Sequence, residues 1–86
     1  MVYVDDMRAV FKGMIMCHMV ADNIDELHEM AVILGVRDYF QDGRHPHYDI
    51  SLSKRKLAIK LGATECSRRD SVKISINSRK EWKYRE

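Results

Sequence analysis

Apolar and polar positions alternate at the start of the chain, where Val2-Tyr3-Val4-Asp5 reads as a short β-strand ending in acids. Gly13 breaks the next stretch, and Met14 to Val20 follows as a second strand, too short and too poorly punctuated for a helix. Extended, it places Met14, Met16, His18 and Val20 on one face and Ile15, Cys17 and Met19 on the other. Both faces are largely apolar, which predicts a central place in a sheet. His47-Tyr48-Asp49-Ile50 alternates again as a third strand, and Ala63 to Cys66 is expected to supply a fourth.

Helical spacing is clearest over residues 23–34. Asp22 is the expected N-cap, with Asp25 three residues on and Glu26 and Glu29 in the early turns, where the helix dipole favours negative charge. Ile24, Leu27, Ala31 and Leu34 form the stripe that buries one face, and Gly35 with Val36 predicts a Schellman end. Residues 37–46 read as a loop, with Asp42-Gly43 at a turn, Pro46 against a helix, and Tyr39 and Phe40 plugging the core. Ser51 is expected to cap a second helix over 52–61, with Leu52, Leu57, Ala58 and Leu61 inward, Lys54, Arg55, Lys56 and Lys60 outside, and Gly62 at its end. Ser67 with Asp70 signals another helical turn. Val72-Lys73-Ile74-Ser75-Ile76 alternates like a strand, so an irregular or extended tail is expected beyond that turn. The order implies an α/β fold: a small single domain with about four short strands in a mixed sheet and two main helices. Residues 1–70 make up the compact domain, and 71–86 a basic C-terminal extension.

At 86 residues the chain has room for one core, and a domain this small is marginal alone and prone to self-association. The net charge of +2 hides an asymmetry. Residues 1–66 hold 8 Lys/Arg against 10 Asp/Glu, whereas residues 67–86 hold 7 against 3, so a body at −2 carries a tail at +4. The longest apolar stretch, Met14 to Ala21, is interrupted by His18 and falls far short of the ~20 residues that span a bilayer. Asp5, Asp6 and Arg8 argue against a signal peptide. Cys17 and Cys66 lack C-x-x-C spacing, as expected of free thiols in a cytoplasmic protein.

Candidate chemistry gathers on histidines and aspartates. His47 and Asp49 project from one strand face, Asp5 closes the first strand, His18 sits in the central one, and His28 lies at the edge of the buried helix stripe. Side-by-side pairing of the strands would bring Asp5, His18, His47 and Asp49 together near His28, and such sites gather at strand ends in open α/β sheets. Imidazoles and carboxylates can hold a divalent metal ion, here through His47, Asp49 and His18. They can also move protons near neutral pH. The plainer alternative is that His18 and His28 are satisfied structural histidines and Asp22 only a cap. Cys17, adjacent to His18 but on the opposite strand face, reads as core rather than as a nucleophile. There is no G-x-G-x-x-G and no G-K-[ST], so a nucleotide-binding loop of either kind is unsupported.

Val4-Asp5-Asp6, Met16-Cys17-His18-Met19 leading to Asp22, Glu26-Leu27-His28, His47-Tyr48-Asp49-Ile50-Ser51, Ser53-Lys54-Arg55 with Ala58, and Gly62-Ala63 together resemble one family. It is the family of small bacterial and phage domains catalogued as domain of unknown function 4031. The resemblance runs over residues 2 to 70 and carries no established activity, but it makes these polar motifs signature positions. It implies a phage or bacterial cytoplasmic setting, in which a small protein can also act as an inhibitor or adaptor of a host protein.

Two readings of function follow. In the first, Asp5, His18, His28, His47 and Asp49 form a metal-binding or hydrolase-like site for a phosphate-containing ligand. In the second, a non-enzymatic module contacts nucleic acid or a host protein through the Lys54–Lys60 helix face and the tail residues Arg79, Lys80, Trp82, Lys83 and Arg85. A homodimer joined through the Met-rich strand is a further possibility.

Overall fold

The computed structural model describes residues 1–84. Five strands, β1 (Val2–Val4), β2 (Ala9–Phe11), β3 (Met14–Ala21), β4 (Tyr48–Ser51) and β5 (Thr64–Glu65), form one mixed sheet. Three α-helices accompany it: α1 (Ile24–Leu34), α2 (Leu52–Lys60) and α3 (Arg68–Tyr84). This is the small α/β domain that the patterning predicts.

β3 is central. β4 pairs antiparallel with it along one edge, while β1 and β2 pair antiparallel with it at successive points along the other. β5 extends the sheet by pairing parallel with β1. The strand β2, absent from the sequence prediction, folds back onto β3 through Lys12-Gly13, whose φ angles of 50° and 78° are those of a two-residue type I′ hairpin.

One face of the sheet carries the core. Val2 and Val4, Cys17, Met19 and Ala21, and Tyr48 and Ile50 are register partners on that face, and they meet Ile24, Leu27, Met30, Ala31 and Leu34 of α1. Fully burying each of the large side chains is worth roughly 1.5–3 kcal/mol, so truncating Leu27 to Ala would cost about 2–5 kcal/mol. Gly35, at φ 78°, ends α1, and the Val36 N–H reaches the Ala31 carbonyl at 2.9 Å, the expected Schellman closure.

Four local expectations are corrected. The α1 cap is Asn23, not Asp22: its side-chain oxygen accepts from the Glu26 N–H, and its side-chain amide donates to the Glu26 carboxylate. Tyr39 is exposed in a short 3-10 turn (Arg37–Tyr39), and Phe40 alone packs on the core. In α2, capped by Ser51 as expected, only Ala58 is buried; Leu52, Leu57 and Leu61 keep substantial exposure. The stretch beyond Ser67 is helix α3 rather than an extended tail, and it packs along β3. Its buried positions, Ser71, Ser75 and Ser78, are serines at helical spacing. Each hydroxyl bonds a carbonyl three residues back, so small polar side chains are buried without cost in unpaired groups. A stripe of serine is invisible to hydropathy, which left only the misleading alternation of Val72, Ile74 and Ile76.

Candidate functional site

The site begins with a break in strand pairing. Val4 faces Met19 and Ala9 faces Met16, so the four residues Asp5–Arg8 stand opposite only Cys17 and His18. The chain bulges there, and Asp5 uses its side chain where a regular ladder would use a carbonyl. Its N–H donates to the His18 carbonyl (3.0 Å), and its Oδ1 accepts from the His18 N–H (2.9 Å) and the Met7 N–H (3.1 Å). Oδ2 accepts from His18 Nδ1 (2.8 Å) and from the Ser71 hydroxyl (2.8 Å). The Asp5 carbonyl, released from the ladder, accepts from Arg55 Nε at 2.9 Å, and Arg55 in turn pairs with Glu65.

Asp5 has no exposed surface. Burial alone pushes its carboxyl up, but the hydrogen bonds from His18, Ser71 and Met7 outweigh burial and hold it at about 2. The residue is therefore an anion at neutral pH and can only accept. His18 Nδ1 must then carry the hydrogen. The hydrogen bond to Asp5 raises the affinity of the His18 ring for a second proton; burial opposes this, the charges of Asp5 and Asp49 add to it, and Arg68 opposes it.

His47 reaches the same state by another route. Its Nδ1 donates to the His45 backbone carbonyl at 2.5 Å, and a carbonyl can only accept. Both rings consequently present a bare Nε2 lone pair in their neutral forms. These point at one carboxylate oxygen: Asp49 Oδ1 lies 3.4 Å from His47 Nε2 and 3.8 Å from His18 Nε2. The two rings meet edge to face with centroids 4.7 Å apart. His18 and Asp49 are register partners across β3 and β4, and His47 lies two residues from Asp49, so the alternation of the strands puts all three on the face away from the core. Each is partly open to solvent, with side-chain exposures of 25%, 22% and 41% for His18, His47 and Asp49.

The sheet does not bring His28 into this group. Its Nδ1 pairs with the Tyr48 hydroxyl at 2.8 Å, and its ring packs edge to face on Phe40. Tyr48 points into the core between His47 and Asp49, so His28 sits on the opposite face of the sheet from them. Burial lowers its pKa, as expected of a neutral histidine in a ring cluster. The expected five-residue constellation is thus a four-residue one.

Cys17 is fully buried, and burial pushes its thiol up to about 11, which suits core and not nucleophile. Of the basic tail, Lys80 is exposed, Arg79 has a buried Nε without a hydrogen-bond partner among the described residues, and Trp82 packs edge to face on Phe40. The Lys83 side chain and Arg85 lie outside the described residues. Sequence reasoning missed Ser71, which contacts Asp5 across 66 positions of the chain, and the His45 carbonyl that orients His47. The only sequence signal for the second was the compact His45-Pro46-His47 segment.

Fold and site together define a small mixed-sheet α/β domain with two histidines and two carboxylates at a strand bulge. The chain belongs to the family described as protein of unknown function (DUF4031), whose model matches residues 2–78 and so extends into α3. No curated protein and no solved structure matches it. No helix among the described residues is long and apolar enough to cross a membrane.

Proposed function

We propose that this domain binds a divalent transition-metal ion through His18 Nε2, His47 Nε2 and Asp49 Oδ1, and that the ion serves hydrolase-like chemistry on a phosphate-containing ligand. The observation that carries this reading is the convergence of three electron-rich atoms, all within 4.8 Å of one another, with both Nδ1 atoms already donating to fixed acceptors. Lone pairs so arranged repel one another until a cation stands between them. Metal-bound histidines characteristically pass their other N–H to a carboxylate or carbonyl, which is what Asp5 and His45 provide.

The two nitrogen–carboxylate spacings suit such an ion, and all three atoms lie within 4.8 Å of one another. Ligands ~2.0–2.1 Å from a tetrahedral zinc lie about 3.4 Å apart, against 3.4 and 3.8 Å for the two nitrogen–carboxylate separations. Two imidazoles and a carboxylate suit zinc and its first-row neighbours, and three protein ligands leave coordination positions open toward solvent. An ion there would activate bound water or polarise a bound oxyanion. Asp5 holds the His18 tautomer, and His28 has no part in this reading.

A proton on His18 is the other cation that can satisfy these atoms, and metal titration separates the two cases. Protein purified without a polyhistidine tag is expected to take up one zinc or manganese ion per chain by calorimetry and elemental analysis. His47→Ala and Asp49→Asn should each lose that ion while remaining folded. Failure of the wild type to bind either ion, with histidine NMR signals unmoved by metal, would reject the proposal.

A further inference from the structure

We infer that β2 is a docking edge for an extended segment of a partner protein, and that the segment it takes is apolar in the middle and acidic at both ends. The inference goes beyond the metal reading and does not depend on it.

The backbone leaves this edge open. β2 stands at the end of the sheet and pairs with β3 alone. On β3, the His18 N–H and carbonyl both serve Asp5, so Met16 and Met14, two and four residues away, direct theirs to the same side, where β2 lies. Their partners are Ala9 and Phe11, and the two-residue turn at Lys12-Gly13 closes on the Phe11–Met14 pair in the same way. Val10, between them, therefore aims its N–H and carbonyl away from the sheet, and neither has a hydrogen-bond partner among the described residues. An added strand can pair with both. The side chains suit such a strand. Ala9, Val10 and Phe11 are all exposed, Val10 at 76% and Phe11 at 57%. Their register partners Ile15 and Met14 are exposed as well, Ile15 beside Val10 on one face and Met14 beside Phe11 on the other. A strand laid along β2 would thus gain apolar contacts on both faces.

Charge decides the occupant. Arg8 and Lys12 flank the strand, both are exposed, and neither makes an ion pair among the described residues. The Lys12 ammonium instead lies over the Phe11 ring, 5.5 Å from its centroid. A second copy pairing antiparallel about Val10 would set Arg8 of each chain against Lys12 of the other, and like charges directly opposite destabilise a strand pair. Sliding the pairing either way runs it into the bulge at Asp5–Arg8 or the turn at Lys12-Gly13. The cations that turn away a second copy attract an acidic strand. A segment of the form acid–x–apolar–x–acid matches the edge, with its apolar residue against Val10 and its acids against Arg8 and Lys12.

The test is an NMR titration of the full chain at low ionic strength with a capped peptide of sequence Glu-Val-Val-Val-Glu, beside one with lysine at both ends. The acidic peptide is expected to move the Val10 amide signal and slow its exchange with solvent. It should bind roughly tenfold more tightly than the lysine peptide, an advantage that shrinks as salt is added. Val10→Pro removes the outward N–H without breaking a bond to β3, so it should leave the other β3 amide signals in place and abolish binding. The double variant Arg8→Glu, Lys12→Glu should exchange the preference and take the lysine peptide. No binding of the acidic peptide, equal binding of the two, shifts that spare Val10, or a double variant that still prefers the acidic peptide would each overturn the inference. So would protection of the Val10 amide that grows with protein concentration in the absence of peptide, which would give the edge to a second copy.

Discussion

Replacing Asp5 by Asn isolates what the buried carboxylate does, because the two side chains have the same shape. The amide oxygen can take the place of Oδ1 and still accept from the Met7 and His18 N–H groups. The amide nitrogen must then face His18 Nδ1 and the Ser71 hydroxyl. Ser71 can adapt, since its single hydrogen can turn wholly to the Arg68 carbonyl, 2.8 Å away, leaving an oxygen lone pair to accept from the amide. His18 can adapt only by becoming an acceptor at Nδ1, which moves its hydrogen to Nε2 and closes that atom to a metal. The variant should therefore fold, yet bind metal about 10–100-fold more weakly, the usual effect of disturbing the partner of a metal-bound histidine. Stability should fall as well. A carboxyl held at about 2 instead of the ordinary 3.8 contributes on the order of 2 kcal/mol at neutral pH. In a domain of this size that corresponds to a fall of about 10 °C in Tm. Nitrogen-15 spectra of the histidine rings, recorded above their titration range, report the tautomer directly. An Asn variant in which His18 still carries its hydrogen on Nδ1, or which binds metal as tightly as the wild type, would refute the reasoning.

Four further outcomes are expected. Because the folded-state pKa of Asp5 is depressed, its contribution is complete above 3.8 and disappears as pH falls toward about 2, so acid melts of the wild type should show a slope that Asp5→Asn lacks. His18 has the opposite sign: its pKa is raised, so the stability it adds to the metal-free protein is present below 6.5 and lost as pH rises beyond that, while metal affinity climbs over the same range. At the α1 N-terminus, Asn23→Ala should cost about 1 kcal/mol in chemical denaturation, and Asp22→Ala, whose ion pair with the chain N-terminus is exposed, well under half of that. Tyr48→Phe removes the partner of His28 and should cost about 1 kcal/mol, yet leave metal affinity unchanged because its hydroxyl lies on the other face of the sheet.

How much of this was legible in the sequence divides along physical lines. The stripe of Ile24, Leu27, Ala31 and Leu34 was read correctly because burial of large apolar groups leaves a periodic trace. The same reasoning failed for α3, where a helix approaches β3 through Ser71, Ser75 and Ser78. Short hydroxyls that bond back to their own helix allow burial without hydrophobicity. It overreached in α2, where Leu52, Leu57 and Leu61 have helical spacing but Ala58 alone is covered. The i, i+2 relation of His47 and Asp49 was readable from strand geometry, and their meeting with His18 followed once β3 and β4 paired in that register. His28 was misplaced because the edge of a buried stripe does not say which side of the sheet the helix covers. A histidine next to the core proved to be a partner for Tyr48.

The bulge between β1 and β2 explains why the site stands where it does. In an unbroken antiparallel ladder, the N–H and carbonyl of a central strand are paired with backbone on both sides, and an inward aspartate would be a buried charge without enough donors. Four residues facing two removes one carbonyl from the ladder and leaves the His18 N–H to be satisfied. Asp5 supplies the missing acceptor, so the donors that hold its charge include a backbone group that the fold must satisfy in any case. Its second oxygen is then fixed against the ring of the same His18 whose N–H it accepts, and α3 completes the arrangement through Ser71. Strand pairing, helix docking and histidine tautomer thus depend on one carboxylate. A change there reaches both the chemistry of Nε2 on the outer face and the hydrogen bonds that hold the bulge beneath it, which makes this defect in the sheet the point where fold and candidate function are joined.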